Sequence, residues 1–138
     1  MTIKEKIIYY KESLDNFEDT MDKYKFLLDQ GKIAKPFPEE YRNDNFKVDG
    51  CQSQVWLVPE YKEKLLNFYS DSDAFISKGM ITILTDIYGN NSPKDILESD
   101  IELVKTLQLD ALLTNSRTNG VYSMLKKVKE YAKIFLNK

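Results

Sequence analysis

Gly50-Cys51-Gln52-Ser53-Gln54-Val55-Trp56-Leu57-Val58-Pro59-Glu60-Tyr61-Lys62-Glu63-Lys64-Leu65-Leu66-Asn67-Phe68-Tyr69-Ser70 is the stretch on which the fold turns. It holds the chain's two strand candidates. Gln54 to Glu60 is rich in valine and contains the only tryptophan, and Lys64 to Ser70 contains Leu65, Leu66, Phe68 and Tyr69. Such side chains suit a pleated, half-buried surface. The short link around Glu60 to Glu63 suits a hairpin, so the strands are expected to be antiparallel. Val55 to Val58 is continuously apolar, which predicts a strand covered on both faces. Pro59 removes a ladder donor, so this strand is expected to end or bulge there.

Helical patterns flank the hairpin. Residues 2 to 15 place Ile3, Ile7, Ile8 and Leu14 at helical spacing, and Thr2 with Glu5 forms a capping-box pattern. A second helix is predicted over about 18 to 30, with Met21, Tyr24, Phe26, Leu27 and Leu28 on its apolar face and Gly31 at its C-terminal end. Pro36, Pro38, Asn43, Asp44 and Asn45 mark residues 34 to 46 as a loop. After the hairpin, Ser72 or Asp73 can cap a helix to about residue 88 carrying Phe75, Ile76, Met80, Ile83, Leu84 and Ile87, ended by Gly89-Asn90-Asn91. Ser92-Pro93-Lys94-Asp95 opens a short helix, another covers about 100 to 109, and the last spans 117 to 136. In the last, Val121, Met124, Leu125, Val128, Ala132 and Phe135 form a core stripe, and Lys126, Lys127, Lys129 and Lys133 face away from it as a solvated surface. Helices, a small antiparallel sheet, then helices: the fold class is α+β, with helices packed on one face of the sheet. No repeat or boundary divides residues 1–138, so a single domain is expected.

Cys51 is the only cysteine, and the 138-residue chain has no histidine. A lone thiol cannot form an internal disulfide or a four-cysteine metal site. Without histidine there is neither a Ser-His-Asp triad nor a Cys-His dyad. Covalent chemistry, if this chain performs any, falls to one sulfur and is completed from outside the chain. A net charge of −2 with interspersed signs argues against a nucleic-acid binder. No apolar run reaches the length of a membrane span, and the first residues carry no secretory pattern, so a cytoplasmic location is expected, where a thiol stays reduced.

A free cysteine often serves as a small buried hydrophobe. Such a residue would sit more naturally inside the Val55–Val58 run than outside it. Cys51 instead follows Gly50, whose backbone freedom allows a close approach, and precedes polar Gln52, Ser53 and Gln54, whose amides and hydroxyl could donate hydrogen bonds to a charged sulfur.

The run Gly50-Cys51-Gln52-Ser53-Gln54-Val55-Trp56-Leu57 resembles the active-site signature of the SufE family, the sulfur-acceptor proteins of iron–sulfur cluster assembly. Ser72-Asp73-Ala74-Phe75-Ile76-Ser77-Lys78-Gly79 resembles the family's S-D-A-x-I-x-K-G block, Ser92-Pro93-Lys94-Asp95-Ile96 its S/T-P-x-D-I helix start, and Ser116-Arg117-Thr118-Asn119-Gly120 its S-R-x-x-G turn before the final helix, continued by Met124. The segment from Lys23-Tyr24 through Gly31-Lys32 to Arg42 and Asn45 is also similar. The blocks cover nearly the whole chain, in order.

The resemblance implies a SufE/IscU-like fold and an accessory sulfur carrier rather than a stand-alone enzyme. A SufS-type, pyridoxal-phosphate-dependent cysteine desulfurase would hold sulfur as a persulfide. Cys51 would take that sulfur and pass it to an iron–sulfur scaffold complex, stimulating the desulfurase. The pyridoxal phosphate belongs to the partner, and the chain itself needs no cofactor or metal. Cys51 is thus the expected catalytic residue, sheltered when free and swung out by motion of residues 50 to 53 when the desulfurase docks. Gln52, Asp73 and Arg117 are the expected supporting residues. Arg117 could stabilise a sulfur anion or pair with a partner carboxylate, or simply order the Ser116–Gly120 turn through backbone carbonyls. Asp73 could hold the Cys51 loop or cap a helix, Lys78 reads as a solvated helix residue, and Trp56 is expected to pack the core beneath the site. The rivals are a thiol redox sensor using Cys51, a regulator that stimulates a desulfurase by binding alone, and a cluster scaffold, which would need more cysteines or histidines than the chain has.

Overall fold

The computed structural model describes residues 1–138. Two strands, β1 (Val55–Lys62) and β2 (Leu65–Ser72), pair antiparallel with Val55 opposite Ser72 and Lys62 opposite Leu65. Six helices surround them: α1 (Ile3–Asp15) and α2 (Thr20–Lys32) before the hairpin, then α3 (Phe75–Tyr88), α4 (Pro93–Glu98), α5 (Leu103–Thr106) and α6 (Asn115–Phe135). The class is α+β, with the helices against one face of the sheet.

Alternation along the strands sorts the two faces. Val55 and Leu57 of β1, with Leu66 and Phe68 of β2, join the apolar cluster built with Ile7 of α1, Leu27 of α2, Met80, Ile83, Leu84 and Ile87 of α3, and Val121, Met124 and Val128 of α6. Trp56 and Val58 are also buried but point the other way. Both faces of β1 are therefore covered, as its unbroken apolar run predicts. Trp56 does not lie in the core beneath the cysteine. Its ring meets Phe37 at a centroid distance of 6.4 Å and lies under the Arg42 guanidinium at 4.9 Å. Arg42 also pairs with Asp71 of β2 at 2.8 Å and with Glu39 at 2.9 Å. These contacts fasten the proline-containing segment 34–46, with short 3-10 turns at Glu39–Tyr41 and Asp44–Phe46, over the outer face of the sheet.

Neither edge of the hairpin is left bare. Lys47 bridges to Trp56, and the Val48 amide donates to the Val55 carbonyl at 2.8 Å. On the other edge the Leu66 amide donates to the Asn91 carbonyl at 2.8 Å. Pro59 neither ends nor bulges the strand, which pairs on through Pro59 opposite Phe68 to Lys62. Backbone groups of successive strand residues face opposite edges. The Val55 and Leu57 carbonyls bond Val48 and the Tyr131 hydroxyl on the edge away from β2, so Pro59 has the same parity and costs no ladder bond.

Several helix details differ from what the sequence pattern predicts. The Thr2–Glu5 capping box forms. Tyr10 is buried while Ile8, at a periodic position, is exposed, and so is Met21. Gly31 is not a terminus: α2 runs through it to Lys32. It lies against Gly79 of α3, where a Cβ on Gly79 would collide with the Leu27 carbonyl oxygen, so the two helices cross in near backbone contact. The expected 100–109 helix divides into α5 and a 3-10 turn at Leu109–Ala111, because Gln108 between them adopts left-handed angles with φ 55°. The last helix begins at Asn115, capped by the Thr114 hydroxyl, so Ser116–Gly120 forms its first turns. Within α6, Lys129 is not solvated. It is half-buried and donates to the carbonyls of Ile96 and of Ser99 (2.7 Å), satisfying the end of α4, and burial pushes its ammonium below the ordinary lysine range.

The hairpin turn stores local strain. Glu63 and Lys64, the two residues between the paired ends, both have positive φ, 54° and 66°. That is the type I′ geometry natural to Asn-Gly, and each ordinary side chain there costs about 1–2 kcal/mol. Replacing Glu63-Lys64 by Asn-Gly is expected to raise the unfolding free energy by about 1–2 kcal/mol, read as a higher urea midpoint with unchanged slope.

Candidate functional site

The pairing of Val48 with Val55 closes the base of a loop, residues 49–54, whose inner part holds Cys51. Gly50 makes the reversal with φ 89°, and a Cβ there would collide with the Ser123 hydroxyl of α6. The loop's far end is clasped by the start of α3. The Asp73 carboxylate accepts from the Gln54 amide at 2.9 Å and from its side-chain amide at 3.3 Å. The Ser72 hydroxyl donates to the Gln54 carbonyl at 2.7 Å. Asp73 is therefore not the N-cap of α3. Ala74 holds that position, with no side-chain cap, and the Asp73 carboxylate serves the cysteine loop.

Cys51 points inward between α3 and α6. Its Sγ lies 3.7 Å from the Gly120 carbonyl oxygen, a long sulfur contact. A cavity of about 10 Å³ adjoins it, lined by Cys51, Ile76, Met80, Val121 and Met124 with Ser77, Arg117 and Gln52 at its polar side. That is room for about one water-sized group. The thiol is half-buried, and burial pushes its pKa up. Arg117 is the one charged residue on the cavity wall. Its guanidinium is bonded to the Ser77 hydroxyl at 2.7 Å rather than to backbone carbonyls of its own turn. Cys51 at rest is thus a protonated, sheltered thiol, a poor nucleophile until its surroundings change.

Three of the four motif blocks meet here. The octet supplies the loop, the Ser72–Gly79 block supplies the clasp and one cavity wall, and Ser116–Gly120 supplies the other wall. Ser92–Ile96 lies elsewhere, where Ser92 caps α4 with Pro93 in its first turn. Gln52 is exposed at the mouth of the cavity. Lys78 is half-exposed and lies 3.6 Å from Asp71. Sequence reasoning misses two residues. Phe75, counted among the apolar residues of α3, opens the helix at 84% exposure, one residue from the cavity wall, because the helical turn carries it away from the face of Ile76, Met80 and Ile83. Ser77, unremarkable within its block, is buried and bonded to both Arg117 and Ser53. A signal for Ser77 does exist in the sequence: a serine on the apolar face of an amphipathic helix.

No group of three or more His, Cys, Asp or Glu side chains converges in a way that could hold a metal ion. No helix is long and apolar enough to cross a membrane. A separate cleft of about 510 Å³ lies away from Cys51 between α1, α2, β2 and α3. Its Lys6, Tyr10 and Asp86 side chains are already bonded to one another.

A small α+β fold that sets its single cysteine in a clasped loop between two helices is what the comparisons with known proteins bear on. Residues 9–132 match the family model described as SufE, the Fe-S metabolism associated domain. An uncharacterised SufE-like protein of Rhizobium etli is 33% identical over 129 residues, covering 88% of this chain and 87% of its own. The cysteine desulfuration protein SufE of Wigglesworthia glossinidia brevipalpis is 31% identical, covering 96% of this chain and 94% of its own. A solution structure of a hypothetical protein from Thermus thermophilus superposes with a TM-score of 0.79 at 17% identity, covering 96% of this chain and 97% of its own, a likeness of fold. The chain belongs to the SufE family, and its role lies in Fe–S metabolism.

The raised thiol pKa gives a signed expectation. The folded state favours the protonated thiol, so this contribution to stability is complete below the ordinary thiol pKa of about 8.5 and is lost as pH rises through the higher folded value. Alkylation of Cys51 by iodoacetamide should accordingly show a midpoint above the ordinary thiol range in the native protein and fall back to it in urea. A native midpoint at or below that of the unfolded chain would contradict the shelter.

Proposed function

We propose that this protein is a sulfur acceptor of iron–sulfur cluster assembly. Cys51 takes the terminal sulfur of a persulfide from a SufS-type cysteine desulfurase and delivers it to a scaffold complex. The observation that carries the reading is the position of Cys51: a lone thiol held inward by a clasped loop, with space for one small group beside its sulfur. Residues 1–138 act as one sulfur-acceptor domain, and the compartment is the cytoplasm, where the thiol stays reduced.

The chemistry balances without a base of this chain's own. The Cys51 thiolate attacks the outer sulfur of the partner's Cys–S–SH. A new S–S bond forms on Cys51, the partner's S–S bond breaks, and the partner cysteine leaves as a thiolate. There is no net oxidation, and the proton lost by Cys51 is balanced by the thiolate released. At rest, burial keeps Cys51 protonated, which protects it from oxidants and, once loaded, shields the persulfide. Docking must then expose the sulfur, and motion of the loop does so. Asp73 holds the resting loop through Gln54, Gln52 lies at the mouth, and Arg117 stands ready to stabilise the sulfur anion or engage a partner carboxylate. The exposed Phe75 provides an apolar contact beside the mouth for the docked partner to cover.

The redox-sensor alternative fits less well. A sensor cysteine is a solvent-accessible thiol of lowered pKa, whereas this thiol is half-buried and shifted upward.

Intact-protein mass spectrometry tests the proposal. On mixing the protein with a SufS-type desulfurase and L-cysteine without reductant, the wild type is expected to gain one or more sulfur atoms and Cys51→Ser none. No gain on the wild type beside an active desulfurase, with rapid partner-free oxidation by peroxide, would transfer the assignment to a redox role. Stimulation of the desulfurase surviving in Cys51→Ser would instead indicate a regulator that works by binding.

A further inference from the structure

Ser77 occupies a position that chemistry does not favour for a serine. It is the third residue of α3, on the face that turns toward α6, 7% exposed, and its neighbours Ile76 and Met80 are core residues. In the first turn of α3, Ser77 has no carbonyl of its own helix four residues back to accept its hydroxyl. The Ser77 hydroxyl instead bridges two other segments. It accepts from the Arg117 guanidinium at 2.7 Å and lies 2.7 Å from the Ser53 hydroxyl. Ser53 belongs to the cysteine loop, Ser77 to α3 and Arg117 to α6, so this one buried hydroxyl joins the three elements that enclose Cys51.

We propose that Ser77 is a positioning residue for Cys51: the junction of a Ser53–Ser77–Arg117 latch that retains the loop in its inward position. The latch does not depend on the sulfur-acceptor reading. The latch differs in kind from the Asp73–Gln54 clasp. Asp73 bonds the loop's exit on the exposed side, largely through the backbone amide. The latch runs through the buried side and ends on the only charged group of the cavity wall. A guanidinium donor makes the bond to Ser77 one of the stronger kinds, yet its release leaves a neutral hydroxyl behind rather than a buried charge. That makes the latch firm at rest without burying a charge when it opens.

The test uses the full chain alone. Alkylation of Cys51 by iodoacetamide is followed across pH for the wild type, Ser77→Ala, Ser53→Ala and the double variant, with urea unfolding alongside. Loss of one hydrogen bond in this network is expected to speed alkylation about tenfold at neutral pH and to move the midpoint down toward the ordinary thiol range. The double variant should gain no more than the faster single one. Ser53→Ala changes a loop residue and serves if Ser77→Ala lowers global stability. Rates and midpoints unchanged in both single variants, or effects that multiply in the double variant, would overturn the latch. Its failure would leave sulfur uptake by the wild type untouched, whereas a working latch in a chain that takes up no sulfur would sink only the acceptor reading.

Discussion

The site depends on how β1 is flanked. On one edge it pairs with β2 from Val55 opposite Ser72 onward, and on the other the Val48 amide reaches the Val55 carbonyl. The first pairing brings the start of α3 next to Gln54, a separation of 19 residues in the chain. The second closes residues 49–54 into a loop whose only inward direction leads between α3 and α6. A one-residue slip of β1 against β2 would turn Val55 and Leu57 out of the core and displace Gln54 from Asp73, because side-chain direction alternates along a strand. Burial of Val55 and Leu57 in the core fixes the first register, and the Asp71–Arg42–Trp56 assembly on the outer face guards against the slip.

That architecture yields a thiol kept in reserve rather than a thiol kept active. Catalytic cysteines are usually given a cation, a histidine or a helix N-terminus to lower their pKa. Cys51 is given burial alone, and its pKa rises. The nearest candidate for activation, Arg117, is bonded to a serine hydroxyl in the resting form. For a carrier this combination is an advantage. Under the proposed role, such a resting state would withhold reactivity from small oxidants until a partner rearranged the same residues.

The hairpin is legible in the sequence because its apolar run is short, β-branched and followed by a charged link. The helices are legible from their periodicity, and the motif blocks point to the cysteine. What a one-dimensional pattern does not carry is partnership across elements. Asp73 looks like a helix cap because it stands just before an apolar periodic run, yet its carboxylate is captured by Gln54, an amide presented by strand pairing. Phe75 reads as core because it begins an apolar run, yet the helical turn points it away from the buried face that starts with Ile76. Trp56 reads as core because it lies in an apolar run, whereas alternation sends it to the outer face beneath Arg42. Lys129 matches a solvated stripe, and only the placement of α4 shows that it closes that helix's carbonyls. The turn at Glu63-Lys64 carries none of the glycine or asparagine that ordinarily announces its geometry.

Central to this account is that a docked desulfurase pulls the Cys51 loop out of its shelter. Hydrogen exchange of a peptide spanning residues 50–54 reads that event directly, because the Gln54 amide is protected at rest by Asp73. Measured on the Cys51→Ser protein to prevent sulfur transfer, exchange in this peptide should accelerate when the desulfurase is added, while peptides from β2 stay unchanged. Unaltered exchange across residues 50–54 in a demonstrably formed complex would contradict the account.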